Sequence, residues 1–355
     1  MNILFCDATP NWSGGANRIY LFSKTMKSRG HNIFVCCLPG SGLSGRLKPE
    51  NINVTEYNPG SDINIFAVNK IKRIIIENKI DIIDIHSPKF YWTGSIAGKS
   101  CSKKVIITRN VPYRKSGLKK QVNKILYNRF ADRVIAISDK IGRELAEDYK
   151  IPADRLNVIP DGIDISQFSS INKINYNYTN RKIIIGCISR LDNNKGLEYL
   201  MESIPKVLAK TGNVNFVIAG TGNIESSLKS RAMQLGLQSN ITFTGFRTDI
   251  PDLLDKMDFT VLPSIQEGLS MAALESMSCS KPVVITSTCG LSDYITNKKN
   301  GIIVPPADSD SLASGIIDMI NSDIAAMGKE ARKLVETKFE LNLVVNQYEK
   351  LLKTL

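Results

Sequence analysis

Two glutamates and the start of a predicted helix form the most chemically suggestive stretch of this chain. Glu267 precedes the helix, and Glu275 lies about one and a half turns into it. The backbone N–H groups of Gly268, Leu269 and Ser270 are expected to point out of the helix start, where such groups bind phosphate. An ionised carboxylate can only accept hydrogen bonds, which suits the hydroxyls of a sugar. The stretch therefore predicts a site for a sugar and a phosphate together.

This chemistry lies in the segment PSIQEGLSMAALESMSCSKPVV, which runs from Pro263 to Val284. The segment resembles the donor-binding signature of retaining glycosyltransferases of the large family 4 type, which have the GT-B fold. The resemblance covers nearly the whole chain and implies that Glu275 holds the ribose hydroxyls of a nucleotide sugar and Glu267 those of its sugar. A plain core helix with two solvated glutamates is the simpler alternative.

Basic and glycine residues follow other predicted strands of the second half. Arg190 and Lys195 lie in SRLDNNKGLEYL and supply the positive charge that a departing nucleoside diphosphate needs; the family matches both positions to diphosphate binding. Gly220 begins a Gly-Thr-Gly turn that lets the backbone approach a ligand. Phe246 and Arg247 resemble the family's nucleobase contact. A solvated lysine and ordinary turns are the alternatives.

The loop after the first predicted strand contains Gly14 and Gly15, with Arg18 one turn into the following helix. The resemblance implies that this loop lies near the donor diphosphate and the acceptor, and it places all three residues in the donor site. A tight turn is the alternative explanation for the glycine pair.

His86 ends another predicted strand, at the edge of the sheet where ligands of parallel sheets bind, and can bond a sugar hydroxyl there. The chain departs from the family pattern close by. Asn110 stands where the family commonly has a histidine near the transferred sugar, and Asp84 replaces an earlier one. We predict that His86 and Asn110 are catalytic residues. Because Asn110 replaces the family's histidine, whether it takes over that residue's role is left open.

The positive charge is unevenly distributed. Residues 1 to 165 hold 26 Lys and Arg against 15 Asp and Glu, whereas the whole chain has a formal net charge of +12. Much of the excess lies between Lys99 and Arg133, around a predicted amphipathic helix from Gly117 to Phe130. Two interpretations stay open: a core-packed helix with a solvated basic face, or attachment to anionic lipid or an anionic acceptor. No nucleic-acid-binding motif accompanies the charge.

The composition and the cysteine spacing indicate in which compartment the protein is located and whether it binds a metal. The seven cysteines have no zinc spacing, which favours reduced thiols in a cytoplasmic protein. No apolar run is long enough to span a membrane, and the first residues do not resemble a signal peptide. Asp308 and Asp310 match a metal-binding D-x-D pattern, but their place before an apolar helix favours helix caps. We expect no metal or other cofactor, with the nucleotide sugar as co-substrate.

Alternating apolar runs and helical patterns predict an α/β protein with two doubly wound, Rossmann-like domains facing across a cleft. An acceptor-binding domain of residues 1–165, with a crossing helix in 339–355 implied by the resemblance, precedes a donor-binding domain of residues 166–338. Ser169 to Asn180 reads as a linker, and the key helix is predicted from Leu269 to Met277. The predicted strands are Asn2–Cys6, Asn32–Leu38, Val54–Tyr57, Ile82–His86, Lys104–Thr108, Arg133–Ile137, Ile183–Cys187, Val214–Ile218, Ile241–Thr244, Phe259–Leu262, Val283–Thr286 and Ile302–Val304.

Together these features predict a retaining glycosyltransferase that moves a sugar from a nucleotide-diphospho-sugar to a saccharide, or to a lipid-linked or lipopolysaccharide-type acceptor, in cell-surface glycan synthesis. By the family resemblance, an oxygen of the donor phosphate takes the acceptor's proton. The expected location is the cytoplasm, with peripheral binding to the inner face of the plasma membrane through the basic first domain. The alternatives are a non-catalytic GT-B protein that binds nucleotide or saccharide as a partner subunit, and a phosphorylase or epimerase of the same architecture.

Overall fold

A computed structural model describes residues 1–60, 64–112, 115–168 and 182–355. The chain forms two compact units: unit 1 contains Met1–Gly162 and Leu341–Leu355, and unit 2 contains Ile163–Glu340. These limits differ by two or three residues from the predicted 1–165 with 339–355 and 166–338. The predicted linker, Ser169 to Asn180, lies outside the described residues.

Unit 1 is built on a seven-stranded parallel sheet of order β3-β2-β1-β4-β5-β6-β7. Helices cover such sheets on both faces, so the inner strands are continuous apolar runs. The predicted strands are all present within one or two residues, and the sequence missed only β7, a short edge strand. The strands are β1 (Asn2–Asp7), β2 (Asn32–Cys37), β3 (Asn53–Glu56), β4 (Ile82–Ile85), β5 (Lys104–Arg109), β6 (Arg133–Ala136) and β7 (Leu156–Val158).

The helices of unit 1 include the predicted basic segment, but it does not form one uniform helix. It is α-helical as far as Ile125 and continues as a π-helical turn from Leu126 to Phe130, and none of its α-helical residues is buried. The segment therefore packs into the core through the buried Leu126 and Tyr127 of the π-helical turn and not through its α-helical residues. The helices are α1 (Gly14–Ser28), α2 (Gly42–Leu47), α3 (Ile65–Glu77), α4 (Pro88–Ser100), α5 (Gly117–Ile125) and α6 (Asp139–Tyr149).

The last helix of the chain, α13 (Leu341–Leu352), completes the core of unit 1. Its buried face includes Val344, Val345 and Tyr348, which belong to the same apolar cluster as Phe22 of α1. The hydroxyl of Tyr348 also donates a hydrogen bond of 2.8 Å to the buried carboxylate of Asp84 on β4. The end of the chain is thus fixed to the first sheet by both packing and a buried polar contact.

Unit 2 repeats the architecture with a six-stranded parallel sheet of order β10-β9-β8-β11-β12-β13. Its strands are β8 (Ile183–Ile188), β9 (Val214–Ala219), β10 (Ile241–Gly245), β11 (Phe259–Leu262), β12 (Val283–Thr286) and β13 (Ile302–Val304). Its helices are α7 (Leu197–Thr211), α8 (Glu225–Gln234), α9 (Ile250–Asp255), α10 (Met271–Ser278), α11 (Ser309–Ile320) and α12 (Ile324–Lys338).

Each sheet has its first strand in the interior, with later strands added on both sides. β1 lies between β2 and β4, and β8 lies between β9 and β11. Loops that leave neighbouring strands in opposite directions open a crevice at the carboxyl ends of those strands, where ligands of such folds bind. Most of the predicted site residues follow these strands. Among the residues that the structure describes, no helix combines the length and apolar character needed to cross a bilayer.

Candidate active site

A partly buried ion pair joins two loops at the carboxyl edge of the sheet of unit 2. Lys195 ends a 3₁₀ turn after β8, and Glu267 lies in the loop after β11. The ammonium of Lys195 donates to the carboxylate of Glu267, and less than a fifth of either side chain is exposed. Glu267 also accepts from the N–H of Gly268 at 3.3 Å and from the hydroxyl of Ser264 at 3.4 Å. The structure therefore brings together the predicted lysine and one of the two predicted glutamates.

The backbone holds these two loops against each other. The N–H of Ile265 donates to the carbonyl of Asn194 at 2.9 Å. Gly196 adopts a φ of +61°, and a β-carbon there would stand 2.1 Å from the carbonyl oxygen of Pro263. Only glycine fits such a position. Gly196 therefore allows the loop that carries Lys195 to approach the loop that carries Glu267.

The start of α10 is a set of free backbone donors next to this ion pair. The helix begins at Met271, two residues later than predicted, because Ser270 has a φ of 72° and caps the helix through its hydroxyl, which accepts from the N–H of Ala273. The N–H groups of Leu269 through Ala272 find no acceptor in the described part of the chain. The N–H of Gly268 is bonded to Glu267 instead. The donor set is thus shifted along the chain from the predicted Gly268, Leu269 and Ser270.

Glu275 lies four residues after Met271, so the two share a face of α10, and helical side chains lean toward the N-terminus. Its carboxyl group is partly buried and is not hydrogen-bonded to any residue that the structure describes. Burial raises its pKa from the ordinary 4.5 to about 7. A desolvated acid without a partner near free N–H donors is suited to bind the hydroxyls of a ligand.

Arg190 follows β8 but does not join Lys195 in this structure. Its side chain is mostly exposed and pairs with Asp192 at 3.0 Å. The backbone around it is tightly packed: Gly220 has a φ of +137°, and a β-carbon there would stand 1.8 Å from the carbonyl oxygen of Ser189. Gly220 also donates to the carbonyl of Gly245 at 2.8 Å. The loops after β8, β9 and β10 are therefore fastened together, with the Arg190 side chain directed to a neighbouring acid.

The residues after β10 present an aromatic ring and a fixed cation. Phe246 is 64% exposed, which is unusual for a large apolar side chain at a strand end. Arg247 is held by the carboxylate of Asp249 through two nitrogen donors, one of them at 2.7 Å. An exposed ring beside a fixed guanidinium can stack on a nucleobase, which is the role that the sequence predicts.

In unit 1, three of the predicted residues come together at the carboxyl ends of β1, β4 and β5. The side-chain amide of Asn110 donates to the carbonyl of His86 at 3.4 Å. The same amide nitrogen would lie 3.0 Å from a β-carbon on Gly15, so glycine permits this close packing beside Gly14, the first residue of α1. The side-chain oxygen of Asn110 is buried without a hydrogen-bond partner among the described residues.

The predicted contact between the His86 imidazole and a sugar hydroxyl is not supported. The ring is almost fully buried, and its Nε2 lies 3.3 Å from the carboxylate of Asp84. Asp84 also accepts from the hydroxyls of Thr108 at 2.7 Å and Tyr348 at 2.8 Å. Burial by itself would raise the pKa of Asp84, but the neighbouring His86 ring and the hydrogen bonds from Thr108 and Tyr348 outweigh it and lower the pKa. This buried acid draws the ring inward and leaves only the His86 carbonyl near Asn110.

Arg18 is also turned inward, so a direct contact with the donor is not supported. Its guanidinium is 1% exposed, donates to the carbonyl of Pro160 and pairs with Asp161 at 3.1 Å. It also lies over the ring of Phe22 at 4.3 Å. A buried arginine needs such a paired acid, and here that acid is 143 residues away in the sequence.

One acid that the sequence analysis did not single out lies at the same edge of unit 1. Asp7 ends β1 and is 2% exposed. Burial raises the pKa of Asp7, although the hydroxyl of Thr9, which donates to it at 2.9 Å, opposes this effect. An acid that ends the first strand directly before a Gly-Gly loop is the sequence signal that could have identified it.

The predicted helix-cap role of the D-x-D sequence is confirmed. The carboxylate of Asp308 accepts from the N–H groups of Asp310 and Ser311 at the start of α11, and Asp310 pairs with Lys206 at 2.6 Å. Within the described ranges, no group of three or more His, Cys, Asp or Glu side chains is arranged to hold a metal ion.

Comparison with known proteins identifies the family. Residues 12–167 match the description "Glycosyltransferase Family 4", and residues 170–338 match "Glycosyl transferases group 1". The chain belongs to the family 4 glycosyltransferases. The predicted family and the two-domain α/β fold class are thereby confirmed.

Individual relatives of this family 4 glycosyltransferase differ in how much of their length is matched. Glycosyltransferase MJ1607 of Methanocaldococcus jannaschii is 34% identical over 202 residues, which cover 54% of this chain and 51% of that protein. The Escherichia coli UDP-Gal:alpha-D-GlcNAc-diphosphoundecaprenol alpha-1,3-galactosyltransferase is 22% identical over 286 residues, covering 76% of this chain and 74% of the relative. The crystal structure of Anabaena HepE in complex with UDP has a TM-score of 0.88 at 24% identity and covers 100% of both chains. At that identity the structural likeness shows the GT-B fold.

Proposed function

We propose that this protein is a retaining glycosyltransferase that moves a sugar from a nucleotide-diphospho-sugar to a saccharide or lipid-linked acceptor in cell-surface glycan synthesis. The observation that carries the proposal is the Lys195–Glu267 ion pair beside the free N–H donors of Leu269 to Ala272. Backbone donors, a cation and two carboxylates at one sheet edge match the charge pattern of a diphosphate joined to sugars.

The donor's diphosphate would bind at the start of α10. The N–H groups there and the helix dipole favour a dianionic group, and Lys195 lies on the adjacent loop. Lys195 would then be shared between Glu267 and the diphosphate, and Arg190, whose side chain is exposed, would turn from Asp192 to the same group. These charges act where negative charge grows as the glycosidic bond to the diphosphate breaks.

The two carboxylates would select the sugars of the donor. Glu275 has no protein partner in the described part of the chain, so it can accept hydrogen bonds from ribose hydroxyls. Glu267, held in place by Lys195, would accept from the transferred sugar. Phe246 and Arg247 would bind the nucleobase, and Gly220 would let the diphosphate approach the backbone.

By the family resemblance, the chemical step would need no protein base. The acceptor hydroxyl would attack the anomeric carbon on the face from which the diphosphate leaves, and a donor phosphate oxygen would take its proton, so the anomeric configuration is retained. Asn110, Gly14 and Gly15 would position the acceptor end of the reaction in unit 1. No step requires a metal ion.

A UDP-sugar is the donor to test first. The Escherichia coli relative is named for UDP-Gal and a diphosphoundecaprenol acceptor, and the Anabaena neighbour was crystallised with UDP. Both names fit the expected nucleoside diphosphate, and the first also fits a lipid-linked acceptor. GDP-mannose is the natural comparison because it differs in both base and sugar.

The basic first unit would dock on an anionic membrane from the cytoplasmic side. In α5, Leu118 is 80% exposed and Ile125 is 48% exposed, and Lys119 and Lys124 are exposed on the same helix. An amphipathic helix with exposed apolar residues and lysines binds anionic lipid surfaces. Not all of the predicted basic segment contributes, since Arg109 is buried and Arg114 lies outside the described residues.

Incubation with UDP-glucose, UDP-galactose, UDP-N-acetylglucosamine and GDP-mannose tests the proposal. We expect slow release of nucleoside diphosphate from one donor in the absence of acceptor, and NMR of the glycosidic bond formed with an acceptor to show the donor's anomeric configuration. The rate should fall in Lys195→Ala and persist in Lys206→Ala, whose lysine pairs with Asp310 elsewhere on unit 2. Inversion at the anomeric carbon, or equal rates in both variants, would contradict the assignment.

A second candidate, a non-catalytic partner that binds nucleotide or saccharide, is favoured by one observation: the imidazole of His86 is buried against Asp84, and Asn110 stands at the neighbouring family histidine. Nucleotide-sugar binding with no hydrolysis and no transfer from any donor would support this candidate.

A further inference from the structure

An arginine that lies over a tryptophan marks a second binding position at the carboxyl edge of unit 1. Trp12 lies in the loop between β1 and α1, two residues before Gly14, and Arg46 lies in the last turn of α2. The guanidinium carbon of Arg46 is 4.0 Å from the centre of the Trp12 ring. Arg46 is exposed and Trp12 is partly exposed.

Arg46 has no acidic partner in the described part of the chain. The two acids in the adjoining segments bond to other groups. Glu50 accepts from Tyr20 at 2.7 Å and pairs with Lys24 at 2.9 Å. Glu56 pairs with Lys48 at 3.0 Å and accepts from other groups of the β2–α2 segment. The ring of Trp12 fixes the guanidinium, and no carboxylate neutralises it.

The backbone beneath the pair is rigidly placed. The N–H of Gly42 donates to the carbonyl of Pro10 at 3.1 Å, and a β-carbon on Gly42 would stand 2.9 Å from the backbone nitrogen of Trp12. Glu56 accepts from the N–H of Gly40 and the hydroxyl of Ser44, which together with Lys48 lower its pKa to about 2. The loops after β1 and β2 are thus joined before any ligand arrives.

We propose that Arg46, held on Trp12, binds an anionic group of the acceptor, a phosphate or a carboxylate, beside the Gly14–Gly15 loop. A guanidinium over an aromatic ring keeps N–H donors at its edge, where phosphate and carboxylate oxygens bind in pairs. The partly exposed indole gives the adjoining sugar an apolar surface. The proposal rests on the transferase function, because it assigns the anionic group to that reaction's acceptor.

Trp12 can report binding directly because the chain has only two tryptophans. The other, Trp92, packs against Phe130 at 5.4 Å between ring centres, so Trp92→Phe leaves Trp12 as the sole indole. In this background we expect glucose 1-phosphate or glucuronate to change the Trp12 emission in a saturable manner and glucose to do so far more weakly. A response to glucose 1-phosphate alone identifies the anionic group as a phosphate. A response to glucuronate alone identifies it as a carboxylate.

The matched variants are Arg46→Gln and Lys48→Gln, which each remove one positive charge from the same segment. Arg46→Gln should weaken binding of the responding probe about tenfold or more, Arg46→Lys should recover part of it, and Lys48→Gln should change it little. In transfer assays, Arg46→Gln should raise the KM for the acceptor while leaving donor hydrolysis without acceptor unchanged.

Three results would overturn the proposal: no response of Trp12 to either anionic sugar, equal responses to glucose, or equal losses in Arg46→Gln and Lys48→Gln. An unchanged acceptor KM in Arg46→Gln, with transfer intact, would also reject it while the transferase function stands. Absence of hydrolysis and transfer with every donor would instead reject the transferase function, and with it the assignment of this anion to an acceptor.

Discussion

The ammonium of Lys195 and the carboxylate of Glu267 are bonded across 72 positions of sequence. Each side chain is mostly withdrawn from water, so each charge depends on the other for compensation. Removal of one partner therefore changes the state of the other, so the double variant is needed beside the single substitutions to separate their roles in catalysis.

We expect Lys195→Ala to lower kcat/KM for transfer by roughly 10² to 10³, since it removes a cation from the departing diphosphate. Glu267→Gln should also lower the rate, and the double variant should be less impaired than the product of the single effects because the two groups act as a pair. Steady-state kinetics of the four proteins gives this coupling. Strictly multiplicative effects would show that the pair does not act together.

Donor binding should depend on the ionisation of Glu275. Its pKa of about 7 means that the carboxyl group gains a proton as the pH falls below neutrality, and the ionised form accepts stronger hydrogen bonds from hydroxyls than the neutral form does. Affinity for the nucleoside diphosphate should therefore fall about tenfold from pH 8 to pH 6. Isothermal titration across this range measures it, with Glu275→Gln as the control that keeps only the pH dependence of the nucleotide's own terminal phosphate. A wild-type curve parallel to that of the variant would refute this role.

The raised pKa of Glu275 should also make the stability of the folded protein depend on pH. Because the folded-state pKa of Glu275 is raised above the unfolded value, ionisation in the folded state is disfavoured, and its contribution to stability falls as the pH rises from about 4.5 to about 7. Glu275→Gln should remove this loss, so the Tm difference between variant and wild type should grow in favour of the variant over that interval. Differential scanning calorimetry provides the measurement.

Gly220→Ala should disturb the donor loops. A β-carbon there would collide with the carbonyl oxygen of Ser189, and the φ of +137° is unfavourable for alanine. Gly236→Ala is a matched control, because Gly236 has a φ of +68° but nothing within 4 Å of an added β-carbon. We expect the control to cost about 1 kcal/mol in urea unfolding and to bind donor normally, whereas Gly220→Ala loses more stability and much of its affinity. Similar donor affinities in both variants would contradict this.

The contact between Tyr348 and Asp84 should stabilise unit 1. Tyr348→Phe removes one of the hydrogen bonds that lower the pKa of Asp84, and loss of a buried bond to a charged group costs about 1 to 3 kcal/mol. Tyr20→Phe, which removes a bond to the half-exposed Glu50, should cost less. The stability from Asp84 is present above its ordinary pKa and lost as the pH falls through the lowered one, so the two variants should converge in strong acid. Urea unfolding at neutral and acid pH compares them.

Membrane binding should follow the charge of α5. We expect co-sedimentation with vesicles containing phosphatidylglycerol, weakened by salt and reduced several-fold in Lys119→Glu/Lys124→Glu. The control Lys210→Glu/Lys256→Glu makes the same change of charge at two exposed lysines of unit 2. Equal binding of the two double variants would show that overall charge, and not this helix, is responsible.

Much of the fold was readable because buried parallel strands are continuous apolar runs. The strands Phe259–Leu262, Val283–Thr286 and Ile302–Val304 were predicted with their observed limits. The edge strand Leu156–Val158 was missed, since it has three residues, all only partly buried, and so carries no strong apolar signal.

The sequence predicts the site residues that lie on neighbouring loops of one sheet. It does not predict the direction of a side chain that is held by an acid distant in the sequence. Lys195 and Glu267 each follow a strand of the same sheet, so their loops had to meet at one edge. Arg18 and His86 also follow strands, but Asp161 and Asp84 draw them into the interior. Nothing in the residues around Arg18 indicates a partner 143 positions away.

The placement of α13 in unit 1 has a consequence for synthesis. Residues 163–340 are contiguous and can fold as soon as they leave the ribosome, whereas the core of unit 1 lacks α13 until a segment made almost two hundred residues later has emerged. Until Tyr348 emerges, the apolar surface around Phe22 stays open to water and to chaperones. Unit 1 is synthesised first, but its core is therefore completed after that of unit 2.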